Sequence, residues 1–229
     1  PDARGKDFAT EDARLAALLG PSPHLVAAAT VEAGRVAIDR ARLDMAAAEL
    51  RASGIAGDRL DLRVEAAAAD LAPLSGPLGI DLAGGLALQG HVTGPASDPA
   101  ATARIEGTRM AAAGIALGDP KLEASLDGLA GLPQGRVRLA AAPGGAALAA
   151  ATGFRLTDSG SLRLQGFEVE GSGTRIAGDL SIGADGLVTG ALDGRIGDLS
   201  VWQGVAGTEL AGGAELDVAP RGRRGRESI

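Results

Sequence analysis

Apolar residues stand at every second position in many short stretches between residues 24 and 218. The segment 60–65, for example, reads Leu-Asp-Leu-Arg-Val-Glu. This alternation is typical of strands with one apolar face and one face in water. A sheet buried on both faces has continuous apolar runs instead. The pattern predicts an all-β fold, an elongated and mostly antiparallel curled sheet of repeated strands.

The alternating positions define a predicted apolar face. Turn sequences at 158–160 (Asp-Ser-Gly) and 184–186 (Ala-Asp-Gly) lie where hairpins should connect neighbouring strands. We expect the following residues to line that face: Leu60, Leu62, Val64, Leu86, Leu88, Val92, Leu122, Leu126, Val137, Leu139, Leu162, Leu164, Leu180, Ile182, Leu216 and Val218.

Two parts of the chain repeat each other. Asp-Leu at 70–71 and Leu-Ala-Gly-Gly at 82–85 return 128 residues later, at 198–199 and 210–213. Ile-Ala-Gly-Asp at 55–58 returns at 176–179, 121 residues later. Repetition on this scale indicates units that bury their apolar faces against their neighbours. The sequence predicts related units around 55–90 and 176–218 within a repetitive sheet of residues 24–220.

The composition agrees with a thin sheet. The chain has 229 residues with 45% hydrophobic and only 2% aromatic residues. Aromatic side chains usually supply much of the bulk of a compact core. The net charge of −7 and the scarcity of aromatic rings count against nucleic-acid binding.

The two ends of the chain differ from the middle. Residues 1–23 are predicted to form an N-terminal segment with a short amphipathic helix from Glu11 to Leu19, capped by Thr10. Residues 221–229 contain four arginines and are interpreted as a basic disordered tail, with a membrane or nucleic-acid contact as the alternative. The sequence lacks an initiator Met and any long apolar run, so we expect it to be a fragment of a longer protein.

Residues suited to catalysis do not form a recognisable group. There is no cysteine, and the two histidines, His24 and His91, have no carboxylate at helical spacing. Paired carboxylates such as Glu168 and Glu170 alternate with apolar residues and fit a solvated strand face. The sequence predicts no enzyme, no cofactor, no catalytic residue and no metal site.

The segment 85–95, Gly-Leu-Ala-Leu-Gln-Gly-His-Val-Thr-Gly-Pro, followed by Pro99 and the alternating 101–107, resembles the degenerate repeat of the translocation and assembly module TamB family. Gly-Ile-Ala-Leu at 114–117, the doubled units at 70–85 and 198–213, and Leu-Leu-Gly-Pro-Ser-Pro at 18–23 are also similar to that family. The resemblance covers roughly residues 8–220.

The resemblance implies a periplasmic trough anchored in the inner membrane by an N-terminal helix that this sequence lacks. It implies phospholipid acyl chains as ligands, passage of phospholipid between the two membranes, and assembly of outer-membrane and autotransporter proteins with a barrel partner of the TamA type. Two alternatives remain, a structural β-repeat such as a secreted stalk and a closed β-sandwich. The sequence contains no Asn to form the polar ladders of stacked repeats, which counts against the stalk.

Overall fold

A computed structural model describes residues 2–4, 19–32, 34–219 and 221–223. Short turns connect antiparallel neighbours along almost the whole chain, as the alternation and the Gly-rich turns require. The strands are β1 (Asp2–Arg4), β2 (His24–Glu32), β3 (Arg35–Asp44), β4 (Glu49–Ala56), β5 (Arg59–Ala68), β6 (Leu82–Pro95), β7 (Ala100–Ala112), β8 (Ile115–Gly118), β9 (Lys121–Asp127), β10 (Gln134–Ala141), β11 (Leu148–Leu156), β12 (Leu162–Gly171), β13 (Thr174–Ile182), β14 (Leu187–Ile196), β15 (Ala214–Val218) and β16 (Arg221–Arg223).

These strands form one open sheet. Fourteen of them follow one another from β1 to β15, while β8 pairs only with β7 and β16 only with β14. In the described part of the chain no second sheet stacks on this one. The predicted fold class, an all-β curled antiparallel sheet of repeated strands, is confirmed. Residues 11–18 of the predicted N-terminal helix lie outside the described residues.

Strand pairing extends beyond the predicted limits of the sheet. β1 pairs with the start of β2, so part of the predicted N-terminal segment belongs to the sheet. Arg221–Arg223, predicted to begin a disordered tail, pair with Leu187–Thr189 of β14. The prediction was wrong for these three residues, because β15 covers only half of the long strand β14 and leaves its first residues available for pairing. Residues 224–229 lie outside the described residues.

Helical turns occur only in loops, within the described residues. The α-helices are α1 (Ser75–Leu78) and α2 (Gln203–Ala206), and the 3-10 turns are Ala72–Leu74, Pro143–Gly145 and Leu199–Trp202. All of them lie on the side of the sheet where β5, β10 and β14 end, which we call the capped side. The opposite side carries short turns such as 157–161 and 183–186.

Two bulges keep the apolar residues on one face. In β12 the apolar positions change from 162 and 164 to 167 and 169, and the pairing register shifts at the same place. Gly166 there has φ 58°, and its backbone N–H donates to Asp179 Oδ1 at 2.7 Å. Arg109 in β7 repeats the arrangement, with φ 48° and an N–H that donates to Asp119 Oδ1. Each extra residue corrects the phase of the alternation.

The buried residues are few and lie on the capped side. Apart from glycines, only five described residues are buried: Ala47, Ala68, Leu71, Ala146 and Thr174. Each lies in or beside a turn between strands on that side. A compact domain would instead bury residues along the middle of its strands, between two layers. The middle of this sheet has no such cover among the described residues.

Candidate functional site

One face of the sheet carries a continuous row of small and aliphatic side chains. The strand register places one residue from each of thirteen strands in line across the sheet. At about 4.8 Å per strand the row spans about 58 Å. In order they are Leu25, Leu43, Leu50, Ala66, Leu88, Ile105, Leu122, Leu139, Ala150, Val169, Ile176, Gly194 and Leu216.

All sixteen residues predicted to line the apolar face lie on the face of this row by register. Fourteen of them are partly buried. Leu216 and Val218 are 42% and 37% exposed, because among the described strands β15 has a neighbour on one side only at these positions. Whether these residues contact lipid stays a prediction.

Sequence reasoning did not find the part of the row in β2–β4. Alanine occurs on both faces of these strands, so the contrast between the faces is weak there. The register shift between Ile38 and Ala41 in β3 also interrupts the alternation. Leu25, Leu43 and Leu50 are the signal that could have identified the row, since each occupies the aligned position in its strand.

Two similar loops cover the apolar face on the capped side. We call residues 70–85 the first cap and residues 198–213 the second cap. Leu71 N–H donates to Gly84 O at 2.9 Å, and Leu199 N–H donates to Gly212 O at 2.7 Å. The sequence repeat therefore corresponds to a repeated loop conformation.

Further bonds in the caps are also shared. Asp70 Oδ1 accepts from Ala72 N–H at 2.9 Å, and Asp198 Oδ1 accepts from Ser200 N–H at 2.8 Å. The hydrogen bonds from Ser200 hold the pKa of Asp198 below its usual value. In the first cap Leu82 N–H donates a hydrogen bond to Ser75 Oγ. In the second cap Gln203 Nε2 donates to the backbone O of the equivalent Leu210. The aspartates thus fix the start of each cap and the polar side chains close it.

Trp202 marks where the second cap meets the sheet. Its Nε1 donates to Thr174 Oγ1 at 2.9 Å, and Thr174 is only 6% exposed. Thr174 shares a face with Ile176, so the second cap covers the apolar face here. In the first cap Leu74 is the aligned residue. Ala68, on the apolar face of β5, is likewise buried at 8% exposure.

The 55–58 and 176–179 echo is not a structural equivalence. Ile55 lies near the end of β4, whereas Ile176 lies near the start of β13. Each of these strands is the second one before its cap, but the repeated motif lies near the end of β4 and near the start of β13.

The opposite face is polar and carries ion pairs. Arg104 donates two hydrogen bonds to Glu106 Oε1, at 2.9 and 2.7 Å, and lies 3.6 Å from Glu123. The hydrogen bonds and charge of Arg104 lower the pKa of Glu106. His91 Nε2 lies 2.7 Å from Asp61 Oδ1, and this hydrogen bond is the main cause that lowers the pKa of Asp61. The charged groups of these pairs are typical of a face that is exposed to solvent.

Two clefts of about 690 and 670 Å³ also open on the polar face. They share Ser125, Arg136 and Arg138 and so form one continuous groove. Arg136 and Arg138 alternate with Val137 and Leu139 along β10, so the sequence pattern places them on this face but does not indicate a groove.

The described ranges contain no candidate metal site and no helix that could span a membrane. Those residues contain no group of three or more His, Cys, Asp or Glu side chains placed to hold a metal ion. They also contain no helix with the length and apolar character needed to cross a bilayer.

No family model, no curated protein and no solved structure matches this chain.

Proposed function

We propose that this protein is a periplasmic, TamB-like segment that holds phospholipid acyl chains along its apolar face. The observation that carries the proposal is the thirteen-strand apolar row without a second layer over it in the described residues. Ten of its thirteen positions are Leu, Ile or Val. The resemblance of residues 85–95 and 101–107 to the TamB repeat supports the same function.

The chemistry of the row suits a ligand that moves. Burying apolar surface contributes about 25 cal/mol per Å² without directional preference. An acyl chain across the strands would meet similar aliphatic contacts at every step. Of the Phe and Trp residues in the part of the chain that the structure describes, only Phe154 and Phe167 lie in strands on the face of the row, and they lie beside the row and not in it. No deep local minimum then opposes sliding.

The proposed pathway runs across the strands, from the β1 edge towards the β15 edge. The caps cover one long side of the apolar face, as the burial of Ala68 and Thr174 indicates. The other long side carries exposed apolar side chains, among them Val31 near the end of β2 and Leu129 and Leu132 in the turn between β9 and β10. The proposal also includes passage of phospholipid between the two membranes and cooperation with a TamA-type barrel. Both would be carried out by the full-length protein.

Lipid binding can be tested on protein purified without detergent. We expect co-purifying phospholipid by mass spectrometry, and binding of a fluorescently labelled palmitate. Leu88→Arg and Leu164→Glu should abolish both, because each places a charge among aliphatic side chains.

The neighbouring residues on the polar face supply matched controls. Gln89→Arg and Gln165→Glu make the same charge changes one residue along, at exposed positions, and should bind lipid like the wild type. Lipid-free wild-type protein would contradict the proposal and favour a structural repeat. Loss of the circular-dichroism strand signal in the Leu88 and Leu164 variants would indicate a closed core instead.

A further inference from the structure

We infer that the polar-face groove binds an extended acidic polypeptide segment. The groove is the pair of joined clefts lined by Arg63, Arg104, Arg136, Arg138 and Arg155. This inference concerns the face opposite to the apolar row and is independent of the proposed function.

Most of these arginines form no close ion pair, although Arg138 lies directly opposite Glu123 in the neighbouring strand. Within the described residues, Arg63, Arg136, Arg138 and Arg155 form no ion pair, whereas Arg104 pairs with Glu106 and Glu123. Elsewhere on this face Arg42, Arg51 and Arg175 are paired with glutamates. Five arginines against three carboxylates, Glu65, Glu123 and Asp127, leave the groove lining with an excess of positive charge in a chain whose net charge is −7.

The structure itself shows what stabilises two facing arginines. Arg42 and Arg51 are direct cross-strand neighbours, and Glu49 contacts both guanidinium groups. Arg155 and Arg163 are also direct neighbours, but no carboxylate bridges them in the described residues. Like charges directly opposite each other destabilise a sheet. A carboxylate of the bound peptide would lie between Arg155 and Arg163, as Glu49 lies between Arg42 and Arg51.

The size and lining of the groove select the class of anion. The groove crosses seven strands, from β5 to β12, and so is about 29 Å long. An extended peptide of about nine residues has that length.

The lining contains no Trp or Tyr, and its one Phe, Phe154, belongs to the apolar face by register. Nucleobases bind proteins largely by stacking on aromatic rings. Carboxylates need only the guanidinium forks that are present.

The test uses a fluorescein-labelled peptide of about nine residues in which Glu and Gly alternate, measured by fluorescence anisotropy with the whole chain. We expect saturable binding that weakens as salt is raised from low to physiological concentration, since exposed charges are screened. The double variant Arg136→Gln/Arg138→Gln should bind about tenfold more weakly. A peptide that alternates Lys and Gly should not bind.

The control is Arg175→Gln/Arg195→Gln, which removes the same charge from facing strands of the same face outside the groove. It should bind the Glu-Gly peptide like the wild type. Equal weakening by both double variants would overturn the inference, because it would show a response to net charge alone. Absence of peptide binding, or stronger binding of an oligothymidylate of similar length, would also overturn it.

Discussion

At the scale of single residues, the hydrogen bond between Trp202 and Thr174 holds the second cap on the sheet. Thr174 is buried, so loss of the donor would leave its hydroxyl without a partner in an apolar setting. Asp70 and Asp198 also fix the start of their caps by a hydrogen bond, but these two bonds are exposed to solvent.

We predict that Trp202→Phe lowers the free energy of unfolding by about 1 kcal/mol or somewhat more. Thr174→Val removes the other partner, and the double variant should cost less than the sum of the two single changes. Urea titration of the four proteins measures the coupling. Strict additivity would show that the indole acts through packing only. Trp202 is the only Trp, so its fluorescence also reports cap release in the wild type.

A second residue-scale prediction concerns pH. The pKa of Asp61 is lowered in the folded protein, so its contribution is present above the unfolded value of about 3.9 and is lost as pH falls through the folded value. Asp61→Asn should therefore lower the melting temperature slightly at pH 7. The difference from the wild type should shrink once the pH falls below about 3.9 and vanish when Asp61 is protonated in the folded protein. A difference that does not shrink as the pH is lowered would contradict the assignment to this carboxylate.

At the scale of elements, the two caps share a conformation but have different neighbours. In the second cap, a Cβ built on Gly204 would lie 2.7 Å from Gly144 O in the 143–145 turn. In the first cap, a Cβ on the equivalent Gly76 would meet nothing within 4 Å. The second cap therefore packs against a neighbouring turn and the first does not, although the sequence repeat is the same.

This difference gives a matched pair of variants. Gly204→Ala should destabilise the protein by about 1–3 kcal/mol, because backbone must move to admit the methyl group. Gly76→Ala should leave the stability unchanged or raise it by less than about 1 kcal/mol, since alanine favours helix α1. Thermal unfolding followed by circular dichroism compares them. Equal effects would mean that the cap and the 143–145 turn separate in solution.

At the scale of the whole molecule, the fold is one layer built from neighbours in sequence. Apart from the pairing of β7 with β9 around the short β8, and of β14 with β16 beyond β15, every strand pairs with its neighbours in the chain. Stability in such an array is close to a sum of local terms and need not be lost all at once.

We predict that native-state hydrogen exchange is slowest in β5–β7 and much faster in β15. Strands β6 and β7 have the longest pairing, whereas β15 has five residues on an edge. Ile176→Asp should speed exchange in β13–β15 and leave β5–β7 protected. Exchange that accelerates uniformly over the sheet would instead indicate a single cooperative unit.

Strand character and the division into two faces follow from the sequence alone. Residues 60–65 and 134–139 alternate in a way that only a strand satisfies, because successive side chains point to opposite faces. The repeated Asp-Leu and Leu-Ala-Gly-Gly motifs predicted two related units, and the structure shows that the repeated part forms two loops with the same local hydrogen bonds.

The alignment of the strands across the sheet is a property of the tertiary structure. The register joins Leu25 to Leu216 in one row through twelve pairings that no local pattern encodes. It also brings Arg136 and Arg138 into a groove with Arg63, from residues more than seventy positions away. Alternation fixes the face of each side chain within its own strand, whereas neighbours across strands depend on bulges and turn lengths accumulated along the whole chain.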